Sequence, residues 1–292
     1  MGYKNMKNTT VKMTKNEREN FIFDSIMAKY NNNGSNIDLI DQIQLLDIIR
    51  PNMHKSGKIE NISSFDSAVL TCSFCQKMHE NGKHDPRIVC NYCYAKKDAE
   101  SFKGKNVRLN HDLKRRIFST VVFSEQVLSS LMLIGLCRFN EDGDIENQIH
   151  ADNYIKIAKC NPLAHFGFWA KNVNPVQNAI EKYGKPKNCT FIYSSPLIND
   201  FSDYIPKYFD YKFVVYTPKY INLAMSLNKS ECNGKKCIEC GYKCYLNNHD
   251  FRIIAEKLRF SKNEQELIDL IDKYTFDSLK KQFKDNFAIA AN

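Results

Sequence analysis

The most constraining feature of this sequence is an alternation of strand and helix signals between residues 131 and 216. Short runs rich in aromatic and β-branched residues predict strands, and amphipathic stretches between them predict helices. This alternation is typical of right-handed crossover units in a parallel sheet. The sequence therefore predicts an α/β protein, either a partial (β/α) barrel or a parallel sheet with helices. The predicted strands cover residues 131–139, 165–169, 189–193 and 212–216, and the helices between them cover 147–159 and 176–183.

Polar residues lie at or after the ends of these predicted strands. Ligands of parallel sheets and barrels bind at the carboxyl ends of the strands, where the loops converge. Arg138 and Asp144 come at or after the end of the first strand, and Lys171 follows the second. We expect these three side chains to contact a substrate or cofactor, although loop polarity and helix capping explain them as well. Ser194, Ser195 and Thr217 follow the later strands.

The flanks divide the chain into three parts. Residues 1–56 form an N-terminal helical segment, residues 57–247 an α/β metal-binding core with two Cys-rich loops, and residues 248–292 C-terminal helices packed on that core. An Asn-rich run separates the two N-terminal helices and reads as a loop. The further predicted helices are 16–30, 37–49, 109–130, 250–260 and 263–287, and residues 58–70 predict one or two short strands.

The sequence offers no convincing membrane helix. The longest apolar stretch, residues 117–137, is interrupted by Glu125, Gln126 and four serines, and a membrane helix needs about 20 mostly apolar residues. The first residues carry no apolar signal region. We therefore expect a cytoplasmic protein with no membrane partner. In that reducing compartment, clustered thiols among the eleven cysteines are more often metal ligands or redox groups than disulfides.

The first cysteine group allows two interpretations. Cys72 and Cys75 are spaced as C-x2-C, and so are Cys90 and Cys93, with fourteen residues between the two pairs. Two such pairs complete a tetrahedral zinc site. Alternatively, only Cys75, Cys90 and Cys93 are ligands, which leaves one corner of an iron–sulfur cluster open for a small molecule while Tyr92 shields one side. Cys72 is then not a ligand.

The second cysteine group is the most specific signal in the chain. Cys232, Cys237, Cys240 and Cys244 place four thiols within thirteen residues, with Gly234 and Gly241 allowing tight turns. The C-x4-C-x2-C portion has plant-type ferredoxin spacing. A four-thiolate site is predicted, and both an iron–sulfur cluster and zinc use such sites.

The other cysteines, the histidines and the remaining motifs give weaker indications of function. Cys137, Cys160 and Cys189 lie in predicted strands or at a helix end, where cysteine behaves as a small hydrophobic residue. Three histidines near the first group could replace a thiol ligand, but surface loop positions explain them better. There is no phosphate-binding glycine loop, no His-Glu-x-x-His and no Gly-x-Ser-x-Gly. These histidines are His54, His79 and His84.

Several motifs resemble a known family, the phage gene-product-88-type proteins, over residues 55–245. That group is similar to radical S-adenosylmethionine enzymes, which implies a partial (β/α) barrel with a three-thiolate [4Fe–4S] cluster at its mouth. The resemblance implies that Cys75, Cys90 and Cys93 hold this cluster, and that Cys237, Cys240 and Cys244, with Cys232, hold an auxiliary one. The motifs are Phe-Cys-Gln-Lys-Met at 74–78, Cys-Asn-Tyr-Cys-Tyr-Ala at 90–95, Arg-Phe at 138–139, Gly-Asp at 143–144, Asn-Tyr at 153–154, Ile-Ala-Lys at 157–159, Asn-Pro at 161–162 and Phe-Trp-Ala-Lys-Asn at 168–172.

Two functions from different classes follow. The first is an iron–sulfur enzyme similar to the radical S-adenosylmethionine enzymes, with S-adenosylmethionine as the implied cofactor and, for a phage protein, the host cytoplasm as its location. The second is a non-enzymatic module in which zinc or clusters hold loops together while the surface binds nucleic acid or a host protein. The net charge of +9 permits nucleic-acid binding but does not require it, because the 42 Lys and Arg are scattered.

Overall fold

The protein is described from a computed structural model, which describes residues 13–67, 72–81, 85–93, 105–227, 229–232, 236–258 and 264–290. The helices are α1 (Lys15–Lys29), α2 (Leu39–Ile49), α3 (Ser73–Asn81), α4 (Lys105–Thr120), α5 (Glu125–Ser129), α6 (Gln148–Cys160), α7 (Val173–Tyr183), α8 (Pro218–Ser226), α9 (Lys243–Leu246) and α10 (Gln265–Ala290). The strands are β1 (Asn52–Met53), β2 (Ser63–Phe65), β3 (Gly135–Phe139), β4 (Ala164–Ala170), β5 (Cys189–Ser194), β6 (Tyr211–Tyr216), β7 (Ser230–Glu231) and β8 (Ile253–Lys257).

These strands form one sheet in the order β1-β2-β3-β4-β5-β6-β8-β7. Strand β1 is antiparallel to β2, and every other pairing is parallel. From β2 to β6 the spatial order follows the chain, because each strand returns beside its predecessor after a crossover connection. The prediction of an α/β fold built on a parallel sheet is confirmed, and the carboxyl ends of seven strands meet at one edge.

The main hydrophobic core lies between one face of the sheet and the helices. Phe65, Phe139, Phe168 and Phe191 project from successive strands into this core and are completely buried. Tyr154 of α6 stacks on Phe139 with ring centroids 4.3 Å apart. Such aromatic pairs contribute roughly 0.5–1.5 kcal/mol beyond their buried area. Helices α1 and α2 supply residues to this same core.

The opposite face of the sheet carries a row of smaller and polar residues. Ser64, Arg138, Gly167 and Thr190 are partners in register across β2, β3, β4 and β5. Because side chains alternate along a strand, those of Ser64, Arg138 and Thr190 point away from the helices, and Gly167 lies in the same row. We call this surface the inner face.

Most predicted elements are confirmed, with two corrections near the first strand. The prediction of a strand over 131–139 is wrong at its start, because β3 begins only at Gly135. Met132 has a φ of 47°, which breaks extended backbone, and Ile134 is exposed. The single helix predicted over 109–130 is two helices, α4 and α5, interrupted at residues 121–124.

The helix predicted over 250–260 is also wrong, because Ile253–Lys257 is strand β8. It lies between β6 and β7, both parallel to it, and Ile253, Ile254 and Ala255 are all buried. A short apolar run buried on both faces has no periodicity that separates a strand from a helix. The helix predicted over 263–287 is confirmed as α10, and no helix among the described residues is long and apolar enough to cross a membrane.

Candidate functional site

The first cysteine group lies at the carboxyl edge of the sheet, on chain that follows β2. Cys72 precedes α3 and Cys75 lies in its first turn, where the Gln76 N–H donates to the Cys72 carbonyl. Cys90 lies in a short 3-10 helix, Val89–Tyr92, and the Cys93 N–H donates back to the Cys90 carbonyl. Two separate segments therefore deliver two thiols each.

The segment that carries Cys90 is fixed to the loop after β5. The Val89 N–H donates to the Pro196 carbonyl at 2.8 Å, and the Ile198 N–H donates to the Arg87 carbonyl at 2.7 Å. Between these bonds, Ile88 and Leu197 form an antiparallel bridge. Cys90 is consequently held above the strand ends rather than beside the sheet.

Three of these thiols interact directly. Cys75 lies between Cys72 and Cys90 and interacts with both. The interaction with Cys75, together with burial, raises the pKa of Cys72. Cys72 acts to lower the pKa of Cys75, but Cys90 and burial outweigh it and raise that pKa to about 12. The hydrogen bond from Cys75 outweighs burial and lowers the pKa of Cys90.

A lysine and an aspartate adjoin these thiols. Asp144, which follows β3, is 4% exposed and accepts hydrogen bonds from the backbone N–H groups of Ile145 and Lys171, both at 2.8 Å. Burial raises the pKa of Asp144. Burial acts to lower the pKa of Lys171, but Asp144 and the thiol of Cys90 outweigh it and raise that pKa. Lys171 is therefore a cation that favours thiolates beside it.

The second cysteine group lies on the inner face. The N–H of Cys232 donates to the Ala255 carbonyl of β8, and the N–H of Cys237 donates to the Lys58 carbonyl. Gly241, with a φ of 69°, allows the loop to turn back toward α9. The turn and α9 bring Cys240 and Cys244 within electrostatic range of Cys232 and Cys237. All four thiols predicted as ligands are thus gathered, with residues 233–235 outside the described chain.

Tyr245 anchors this loop to the sheet. Its backbone carbonyl accepts a hydrogen bond from the Thr190 hydroxyl at 3.3 Å, and its ring lies 5.6 Å from that of Trp169. A Cβ atom on Gly167 would lie 2.5 Å from the Trp169 ring and 3.0 Å from the Tyr245 ring. Gly167 therefore makes room for the loop.

The three residues predicted to bind a cofactor are divided between the two groups. Lys171 and Asp144 lie beside Cys72, Cys75 and Cys90, whereas Arg138 lies on the inner face with its guanidinium 4.2 Å from the Trp169 ring. From there Arg138 acts to lower the pKa of Cys237 and of Cys244, although burial raises both overall.

Two neighbours of the second group were not predicted. His249 Nε2 lies 3.0 Å from the Cys244 sulfur. Lys58 forms an ion pair with Glu256 at 2.8 Å and also interacts with Cys232. Lys58 and Glu256 are 198 residues apart in the chain, so no local pattern could indicate their contact.

The spacing of the thiols bears on the metal they fit. Zinc binds thiolates at about 2.3 Å, which places sulfurs about 3.8 Å apart in a tetrahedron. Among the described residues, the group of three or more potential ligands with all donor atoms within 4.8 Å of one another is His54, Asp66 and Glu141, and no set of thiols meets this limit. An iron–sulfur cluster attaches its thiolates to different irons and so needs them farther apart than a single ion does.

Fold and site together define an α/β protein with a mostly parallel sheet, one group of thiols at its carboxyl edge and another on its inner face. In comparisons with known proteins, the chain matches no protein-family model, no curated protein and no solved structure.

Proposed function

We propose that this chain is an iron–sulfur protein, built as a partial (β/α) barrel, that holds a cluster over the carboxyl edge of its sheet. The observation that carries the proposal is that thiols from two separate segments meet beside the Lys171 cation. Parallel sheets bind their ligands at this edge. The resemblance of the cysteine motifs to the phage gene-product-88-type proteins leads to the same proposal.

The order of the strands supports the barrel. In a doubly wound sheet the strand order reverses near the middle and helices cover both faces. Here β2 to β6 and then β8 follow chain order, and the inner face is covered by the second cysteine loop instead of crossover helices. That arrangement supports a barrel that is opened at one side and plugged by a loop.

Each residue of the first group has a role in this proposal. Cys75, Cys90 and Cys93 would hold the cluster, and Cys72 interacts with Cys75. A cluster bound there would supply one-electron chemistry. Lys171 offsets the negative charge of the thiolates, and the backbone N–H groups around Asp144 keep its carboxylate oriented toward Lys171.

A cavity beside the segment that carries Cys90 offers space for a substrate. It measures about 310 Å³ and lies at the carboxyl end of β5, between the loop that follows this strand and α10. Its lining includes Arg87, Pro196 and Leu197, which belong to the segments that fix Cys90, and the polar side chains of Ser195 and Asp200. Small-molecule sites have volumes of about 300–1,000 Å³ and a few convergent polar groups. The proposal assigns the substrate to this cavity.

The second group is proposed to hold an auxiliary cluster. Cys232, Cys237, Cys240 and Cys244 lie in a loop that contacts the inner face through Tyr245, so a bound cluster stabilises the plug as well as the loop. Metal binding that exists only in the folded state adds its free energy to folding.

The experiment is metal and acid-labile sulfide analysis of full-length protein purified without oxygen. We expect a brown protein with about four irons and four sulfides for each occupied group. Cys90→Ser should lose the iron of the first group, and Cys240→Ser that of the second. Cys160→Ser is the matched control, because Cys160 ends α6 on the helix side of the sheet and should leave both unchanged.

The outcomes separate the two functional classes. Binding of S-adenosylmethionine to an open iron should change the electron paramagnetic resonance spectrum of the reduced wild type but not that of Cys90→Ser. A colourless protein with stoichiometric zinc and no sulfide would contradict the proposal and favour the metal-stapled module that binds nucleic acid or a host protein. Retention on DNA or RNA that falls steeply with salt would then identify nucleic acid as the partner.

A further inference from the structure

A third group of potential ligands contains no cysteine. Asp66 directly follows β2 and Glu141 follows β3, at the carboxyl edge of the sheet, whereas His54 follows β1, which is antiparallel to β2. One donor atom from each of these residues lies within 4.8 Å of the other two. Donor atoms from three separate segments therefore converge on one point, whereas the charges of a surface run come from a single segment.

The contacts inside this group are short. His54 Nε2 lies 2.7 Å from Glu141 Oε2 and 2.7 Å from the hydroxyl of Ser64. The same hydroxyl donates to Asp66 Oδ2 at 2.8 Å. Ser64 thus links the imidazole to the carboxylate and orients both, as outer partners of metal ligands commonly do.

Asp66 supplies an independent observation. Its side chain is 3% exposed, yet its second oxygen, Oδ1, has no hydrogen-bond partner among the described residues. A buried carboxylate oxygen without a partner costs free energy unless a cation or a donor satisfies it. A cation bound by the Asp66 carboxylate would compensate this oxygen.

Charged side chains surround the group. Three carboxylates gather here, those of Asp66, Glu141 and Asp142, and Arg138 and Lys114 are among the cations that act on them. Lys114 is buried and donates to the backbone carbonyl of Arg50 at 2.9 Å.

A second imidazole borders the group. His111 of α4 places Nε2 3.8 Å from Asp66 Oδ2 and Nδ1 3.7 Å from Asp142 Oδ2. Two carboxylates, one of them a member of the group, therefore face this imidazole.

We infer that His54, Asp66 and Glu141 form a binding site for one divalent first-row metal ion. One imidazole and two carboxylates are borderline and hard donors, which suit Mn²⁺, Fe²⁺ or Zn²⁺ and differ from the thiolates of the other two groups. The side chains of His54 and Glu141 are 26% and 23% exposed, so the site is open on one side. Three protein ligands and an open side leave coordination positions for water or a substrate oxygen.

This site does not depend on the proposed iron–sulfur centres. Mn²⁺ is the most discriminating probe, because it prefers oxygen and nitrogen donors and binds thiolates poorly. Titration of full-length protein with Mn²⁺, followed by electron paramagnetic resonance of the free ion, should show one equivalent bound. Cys75→Ser should bind Mn²⁺ as the wild type does.

Isosteric variants test the ligands. Asp66→Asn and Glu141→Gln should each weaken Mn²⁺ binding by about 100-fold or more, because replacing even a hydrogen-bond partner of a metal ligand lowers metal affinity by about 10–100-fold. Ser64→Ala, which removes only the linking hydroxyl, should weaken it about 10-fold. Asp112→Asn is the matched control on α4 and should bind normally, because Asp112 forms its ion pair with Arg115 instead.

Thermal unfolding shows whether each variant folds and whether it binds Mn²⁺. Mn²⁺ should raise the melting temperature of the wild type and of Asp112→Asn, and should raise that of Asp66→Asn much less. If Asp66→Asn does not fold, His54→Gln, with a side chain that is only partly buried, provides the same comparison. The inference is overturned if the wild type binds no Mn²⁺, or if Asp66→Asn and Glu141→Gln bind it unchanged.

Discussion

At the scale of single residues, the second half of the sheet is built around a completely buried cation. Lys212 of β6 is 0% exposed, and its ammonium lies 2.7 Å from Asp200 Oδ2 and 2.9 Å from the hydroxyl of Ser202. Burial acts to raise the pKa of Asp200, but Lys212 and the hydroxyl of Ser195 outweigh it and hold that pKa below its usual value. The carboxylate is charged at neutral pH for this reason.

Asp200→Asn should destabilise the protein by about 3–5 kcal/mol at pH 7, because it leaves the Lys212 cation buried without its counter-charge. The folded-state pKa of Asp200 lies below that of the unfolded chain, near 3.9. The stabilisation of the folded state by the ionised Asp200 carboxylate is therefore complete above about pH 4 and is lost as the pH falls through the folded-state pKa of Asp200. Urea unfolding at pH 7 and pH 3 should show the difference from the wild type shrinking at the lower pH.

The matched control is Glu181→Gln. Glu181 pairs with Lys207 at 3.2 Å on the surface, where both side chains are more than half exposed. Exposed pairs contribute roughly 0–1 kcal/mol. An Asp200→Asn variant as stable as Glu181→Gln, or a difference that does not change with pH, would contradict the role assigned to the buried pair.

At the scale of elements, local patterns were sufficient wherever a helix or strand is buried on one side only. The alternation from β3 to β6 was predicted because amphipathic helices and short aromatic strands have different periods. Strand β8 was missed because Ile253, Ile254 and Ala255 are buried on both faces. The break between α4 and α5 was missed because a distant side chain, that of Asn153, stabilises it.

The same distinction applies to the candidate site. The sequence predicted both thiol groups because cysteine spacing is local; the structure brings thiols of each group within electrostatic range of one another, but no set of three or more described thiols lies within 4.8 Å. It did not predict that Arg138 would lie with the second group, since that depends on which face of β3 the side chain occupies. It also did not identify Asp66 and Glu141, whose proximity arises only from the pairing of β2 with β3.

Asn153→Leu should uncouple the end of α4 from α6. Asn153 is completely buried, and its amide donates to the carbonyls of Phe118 and Val121 at 3.0 and 2.7 Å and accepts from the N–H of Phe123. Leucine has a similar volume but leaves these backbone groups without partners, at about 1–3 kcal/mol for each unsatisfied group. We expect a loss of about 3 kcal/mol or more in urea unfolding.

Asn178→Leu on α7 provides the comparison for this variant. Asn178 is exposed and donates one hydrogen bond, to Gln148 at 3.2 Å. Surface substitutions of this kind usually change stability by less than about 0.5 kcal/mol. Equal effects of the two substitutions would show that the buried amide does not stabilise the junction between α4 and α5.

At the scale of the whole molecule, the N-terminal helices and the sheet share one core. Ile26 of α1 and Leu45 of α2 belong to the same buried cluster as Phe139 and Phe168 of the sheet. The N–H of Ser124 donates to the side chain of Gln42 at 2.8 Å, which ties α2 to the start of α5. Elements that share a core and buried hydrogen bonds are expected to unfold together.

Hydrogen exchange measured by mass spectrometry over a range of urea concentrations tests this coupling. The amides of α2 should open with the same free energy and the same urea dependence as those of β4, because Leu45 belongs to the same buried cluster as Phe166 and Phe168 of that strand. Fluorescence of Trp169, the one tryptophan in the chain, reports the inner face and should change in that same transition. If α2 exchanged at lower urea while Trp169 kept its native signal, the N-terminal helices would be a separate unit, and burial against α4 and α5 would contribute little to holding them.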